Sequence, residues 1–121
     1  MLSEFDSPSE IINEYLETLL KGIRKYPKTQ ILFALVIVAS ALKKCKAKHL
    51  LEKIDLQLKF DRIICMINEC IKSESMYKLE NLARILQDTN NQHKLGNEKL
   101  AISMARSFEA GPLVYCLDYE L

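Results

Sequence analysis

Glycine and proline are scarce in this chain, three of each in 121 residues. A sequence so poor in turn formers does not build an all-β fold of many short strands, and it favours helices with few interruptions. It contains no glycine-rich phosphate loop and no G-x-S-x-G elbow, which removes two common routes to nucleotide chemistry and acyl transfer. No C-x-x-C or H-x-x-x-H pair occurs among its four cysteines and two histidines. Cys45 and His49 are one helical turn apart and could share a metal, with further ligands from Cys65, Cys70, Cys116 or His93. The spacing of Cys65 and Cys70 sets those two thiols on different helix faces, so no metal and no cofactor are expected. The N-terminus, MLSEFDSPSE, has no basic-then-apolar leader. A cytoplasmic protein is therefore expected, its cysteines free buried thiols rather than disulfides.

Long apolar runs are also missing, with one partial exception: ILFALVIVASAL, Ile31 to Leu42. Twelve helical residues rise about 18 Å, against a bilayer core of about 30 Å. Lys28 and Gln30 close the run on one side, Lys43 and Lys44 on the other. It reads as the central helix of a bundle, not a membrane span.

The composition, 49% hydrophobic and 27% charged, is that of one globular domain over 1–121. Five or six helices are expected. Ser7, Pro8 and Glu10 form a capping-box start for the first. Its apolar stripe is Ile11, Ile12, Tyr15, Leu16, Leu19, Leu20 and Ile23, with Arg24 and Lys25 in its last turn and Pro27 ending it near Tyr26. The second covers about 28–44. The next stretch is ambiguous: Ile54, Leu56, Leu58 and Phe60 alternate with polar residues, a strand signal. The preferred reading is helix with a break near 55–59 and a new start at Asp61, for a helix carrying Ile63, Ile64, Ile67, Cys70 and Ile71. The alternative is a small two-stranded ribbon of 54–60 with the alternating tail 113–121. A further helix spans about 76–87, and DTNNQHKLGN (88–97) reads as loop. Asn97 then caps a last helix to about Phe108, ended by Gly111-Pro112. The class is mainly all-α.

The net charge of +1 hides three blocks, −5 over residues 1–20, +8 over 21–62 and −2 over 63–121. Blocked charge orients encounters. The lysines of KKCKAKH, Lys43, Lys44, Lys46 and Lys48, could contact a phosphate backbone, but they also suit the negative end of the preceding helix. A helix-turn-helix over 79–108 is disfavoured because its joint reads as about nine residues, too long for that motif. His93 beside Lys94, with His49 as a second base, and the pairs Glu14/Glu17 and Glu69/Glu74 are the only acid–base candidates, and solvated faces account for them, so no enzyme is expected.

What remains is protein binding. The expectation is a small inhibitor of the bacterial immunity or antitoxin type, covering a basic toxin such as a nuclease. Its contact residues would be Glu10, Glu14 and Glu17 with Tyr115, Asp118, Tyr119 and Glu120, tyrosines suiting interface cores. Alternatives are a nucleic-acid binder using 43–49, or a secretion chaperone or adaptor. The apolar content would also support a homodimer.

Overall fold

The computed structural model of the chain describes residues 7–45, 50–73 and 75–110, the side chains of 50–53 and 107–110 excepted. Among these there are five α-helices and no strand: α1 (Pro8–Lys21), α2 (Lys28–Lys44), α3 (Leu50–Lys72), α4 (Met76–His93) and α5 (Glu98–Ala110). The helical class is as expected. The ribbon is not formed: residues 54–60 are helical, and 113–121 lie outside the described residues.

The start of α1 follows from its cap. The Ser7 hydroxyl accepts the Glu10 backbone N–H at 3.4 Å, with Pro8 at the first helical position. Ile11, Ile12, Tyr15, Leu16 and Leu19 are buried in one stripe. Burying each large aliphatic contributes about 1.5–3 kcal/mol. The helix ends earlier than Pro27 suggested. Gly22 is its C-cap, and its N–H reaches Thr18 O at 3.1 Å. A tight turn follows, with Lys25 N–H bonded to Gly22 O at 2.9 Å. The Tyr26 ring lies where a Cβ on residue 22 would be, 2.6 Å from Cε2. Arg24 and Lys25 thus belong to the turn, not to the helix.

Helix α2 has the expected limits. Ile31, Ala34, Leu35, Ile37, Val38, Ala39, Ala41 and Leu42 are buried in it, while Phe33 is exposed. No helix among the described residues is long and apolar enough to cross a membrane.

Helix α3 is continuous through the expected break, and Asp61 is an exposed mid-helix residue, not a cap. The alternation that suggested a strand is two interleaved helical pairs. Leu56 and Phe60 point inward and Ile54 and Leu58 outward. Two i, i+4 pairs offset by two residues mimic a period of two.

Helix α4 runs six residues past the expected end at Gln87, taking in half of the Asn-rich segment. Thr89 and Asn90 are buried, and Asn90 finds partners on α1, which offset its weak helix propensity. The helix stops where Lys94 turns left-handed (φ 51°). Its N–H and that of Leu95 both point at Asn90 O, and Leu95 is buried as a plug. Asn97 then caps α5, its Oδ1 accepting Leu100 N–H at 3.0 Å. Replacing Asn97 by Ala is expected to cost about 1 kcal/mol, read as a lower denaturant midpoint at unchanged m-value.

Helix α4 is the hub, packing on α1, α2 and α3. Helices α2 and α3 also pack together, and α5 packs on α1. The element expected at the centre, α2, meets α3 and α4. Helices α1 and α3 thus both pack on α4.

Candidate functional site

Helix α3 buries one face and shows the other. Inward lie Leu56, Phe60, Ile63 and Cys70. Outward, Ile54 is 69% exposed, Leu58 63%, Ile71 60% and Ile64 42%, and Tyr77 at the start of α4 is 68% exposed. Ile64 and Ile71 are thus on the surface. Scattered single apolar side chains need no explanation, but two exposed pairs on the outward half of one helix, Ile54 with Leu58 and Ile64 with Ile71 on its flank, mark a contact surface. The polar residues of that face include Asp55, Gln57, Asp61, Arg62, Asn68, Glu69 and Lys72, all exposed. Cys65 is exposed among them, against the expectation of a buried thiol. The sequence carried the signal: apolar residues on both faces of one helix, read as alternation.

The residues singled out in the sequence fall into three groups. Glu10 and Glu14 are exposed on α1. Glu17 is half-buried and turned toward α4, where its Oε2 accepts from Gln87 Nε2 at 3.3 Å. Tyr115, Asp118, Tyr119 and Glu120 lie outside the described residues, so the acidic flank and the tail are not brought together here. Lys43 and Lys44 are exposed in the last turn of α2, where they complement its dipole. Lys46 and Lys48 lie outside the described residues, as do His49, Glu74 and Cys116.

Glu17 belongs to a seam of amides that locks α1 to α4. Gln87 Nε2 also donates to Asn13 O at 3.1 Å. Asn90 Nδ2 donates to Ser9 O and to Asn13 Oδ1, each at 2.9 Å, and Asn13 Nδ2 donates to Asn91 Oδ1. Such networks fix which turn of one helix faces which turn of the other. The seam is an internal joint and offers no open surface.

Between α3 and α4, Lys59 Nζ donates to Gln92 Oε1 and lies 3.2 Å from His93 Nε2. An ammonium only donates, so in a hydrogen bond here His93 Nε2 is the acceptor. The lysine beside His93 is therefore Lys59 from α3, not the neighbouring Lys94. The arrangement ties two helices together.

Cys45 is half-buried, its Sγ 3.5 Å from Ala41 O. Burial pushes its pKa up. Burial also raises Cys70, with Lys28 and Lys78 pulling the other way and Glu69 adding to the rise. Because the thiolate is the reactive form, alkylation followed by peptide mass mapping should modify Cys65 first, Cys45 next and Cys70 last. Equal rates at the three would contradict the burial described. Among the described residues no three His, Cys, Asp or Glu side chains are grouped to hold a metal ion.

The helix-turn-helix reading needs correcting in its reason. The joint between α4 and α5, residues 94–97, is short enough for that motif. The motif fails on packing, because α5 rests on α1 rather than broadly on α4.

No protein-family model, curated protein or solved structure matches this chain.

Proposed function

We propose that this chain works by binding protein, and that the outward face of α3 is a surface that does so. The observation that carries the reading is the exposure of Ile54, Leu58, Ile64 and Ile71 on a helix whose opposite face is core, with Tyr77 also exposed at the start of α4. Covering such side chains is favourable at about 25 cal/mol per Å², and the aromatic body and polar tip of Tyr77 suit an interface centre.

The finer reading is an inhibitor of the immunity or antitoxin type, without catalysis of its own, that covers a basic toxin such as a nuclease. Its support is the charge of α1, where Glu10 and Glu14 are exposed in a block of 20 residues containing no Lys or Arg. That flank would steer a basic partner and raise its association rate more than its affinity. Glu17, held by Gln87, contributes field but little contact.

Co-expression tests the finer reading. The chain should rescue cells from the toxin encoded beside it and bind that toxin in titration calorimetry. Glu10→Lys with Glu14→Lys should slow association and remove most of its salt dependence. Absence of any neighbouring toxin, with no rescue, contradicts the inhibitor. A mobility shift of DNA or RNA that weakens steeply with salt would instead favour the lysines at 43–48.

A further inference from the structure

Resting on the reading of α3 as a protein surface, we propose that its occupant is a second copy of this chain. The copy packs on the outward face of α3, antiparallel, about a two-fold axis near Met66.

The charges of the face point there. Asp61, Arg62, Glu69 and Lys72 are all exposed. At 100° per residue Asp61 and Lys72 share one line of the helix surface, and Arg62 and Glu69 share another. The midpoint of the first pair falls between Met66 and Ile67, and that of the second between Cys65 and Met66. A two-fold axis through this one place therefore sets Asp61 of each copy beside Lys72 of the other, and Arg62 beside Glu69. Four opposite-charge contacts arise from a single register. The spread of the two midpoints corresponds to about 1.5 Å along the helix, well within the reach of these side chains.

Ile64 and Ile71, both exposed, lie on the flank of the face away from Arg62 and Glu69, with their midpoint about 2 Å along the helix from the axis. Cys65 lies beside the axis. Ile54 and Leu58, both exposed, reach the far end of the other copy's α3. Antiparallel helices also bring the dipole ends of opposite sign together. A two-fold interface must be self-complementary, and this face meets that condition. The flank of Glu10 and Glu14 does not, since two acidic stripes repel.

Sedimentation equilibrium of the full chain tests this. Wild type should show a reversible monomer–dimer equilibrium. Arg62→Glu should weaken it at least about tenfold, equivalent to 1.4 kcal/mol, because the new carboxylate at position 62 faces Glu69 of the other copy. The swap Arg62→Glu with Glu69→Arg should restore it, at unchanged helical circular dichroism. Oxidation of the wild type should give a Cys65–Cys65 cross-link that Cys65→Ser abolishes. A wild type that stays monomeric to several hundred micromolar, or a double swap no better than Arg62→Glu, overturns the second copy. A monomer whose binding to a different protein is lost in Leu58→Glu would overturn the second copy while leaving the protein-binding reading of the face intact.

Discussion

Replacing Gly96 by Ala should lower the melting temperature by about 10–15 °C, a loss of roughly 3 kcal/mol or more. The reason is distance. A Cβ at residue 96 would overlap Ser9 N, lie 2.5 Å from Pro8 C and 2.7 Å from Ser9 Cα. All three are backbone atoms in the first turn of α1, so no side chain can swing aside. Either the turn between α4 and α5 lifts away or α1 unwinds at its start. Both routes break the bond from Gly96 N–H to Ser9 Oγ, 2.9 Å long. The control is Ser9→Ala, which loses only that bond and should cost about 1 kcal/mol. Adding it to Gly96→Ala should rescue nothing, because the obstacle is main chain. A mild Gly96→Ala, comparable to an ordinary surface change, would mean that this turn does not sit on α1.

Asn90→Asp should be as damaging, on the order of 3–5 kcal/mol at neutral pH. Asn90 is fully buried, and its Nδ2 makes both bonds to α1. A carboxylate removes that donor and sets negative charge against two acceptor oxygens, Ser9 O and Asn13 Oδ1. Among the described residues Asn90 Oδ1 has no hydrogen-bond partner, so none of them donates to a charge there. The pH dependence has a definite sign. Burial raises the folded-state pKa of the new carboxyl above the unfolded value of about 3.9. The variant should therefore lie closest to wild type below that value, lose stability as pH rises toward the folded pKa, and stay flat above it. Denaturant titrations of both proteins between pH 3 and 8 measure this. A penalty that does not change with pH would place residue 90 in contact with water.

These two positions show where the sequence was legible and where it was not. The caps at Ser7 and Asn97 could be read directly, because capping is local chemistry between a side chain and backbone N–H groups a few residues on. The limits of α2 could be read because charge borders an apolar run. The end of α1 was misplaced because Pro27 is a strong signal, whereas the decisive contact, the Tyr26 ring over Gly22, is a matter of packing. Residues 88–93 looked like loop because Asn, Thr and Asp favour turns when considered singly. The partners that keep them helical, Ser9 and Asn13, lie some 80 positions earlier in the chain, beyond the reach of any local pattern. The outer face of α3 was written in the sequence but disguised. Ile54 and Leu58 face outward while Leu56 and Phe60 face inward, and four such residues in a row show the spacing of a strand. The acidic flank on α1 was legible at Glu10 and Glu14. The diversion of Glu17 to Gln87 was not, since it depends on which turn of α4 lies opposite.

The central claim is that the outward face of α3 is a protein interface. Hydroxyl-radical footprinting of the chain, dilute and purified on one side and within the assembly isolated from its own cells on the other, tests it most directly. Ile54, Leu58, Ile71 and Tyr77 should be oxidised rapidly in the dilute protein and protected in the assembly, while Ile12, Leu35 and Val38 stay protected in both. Equal oxidation of the four exposed residues in the two samples would show that face bare in its working state and contradict the account.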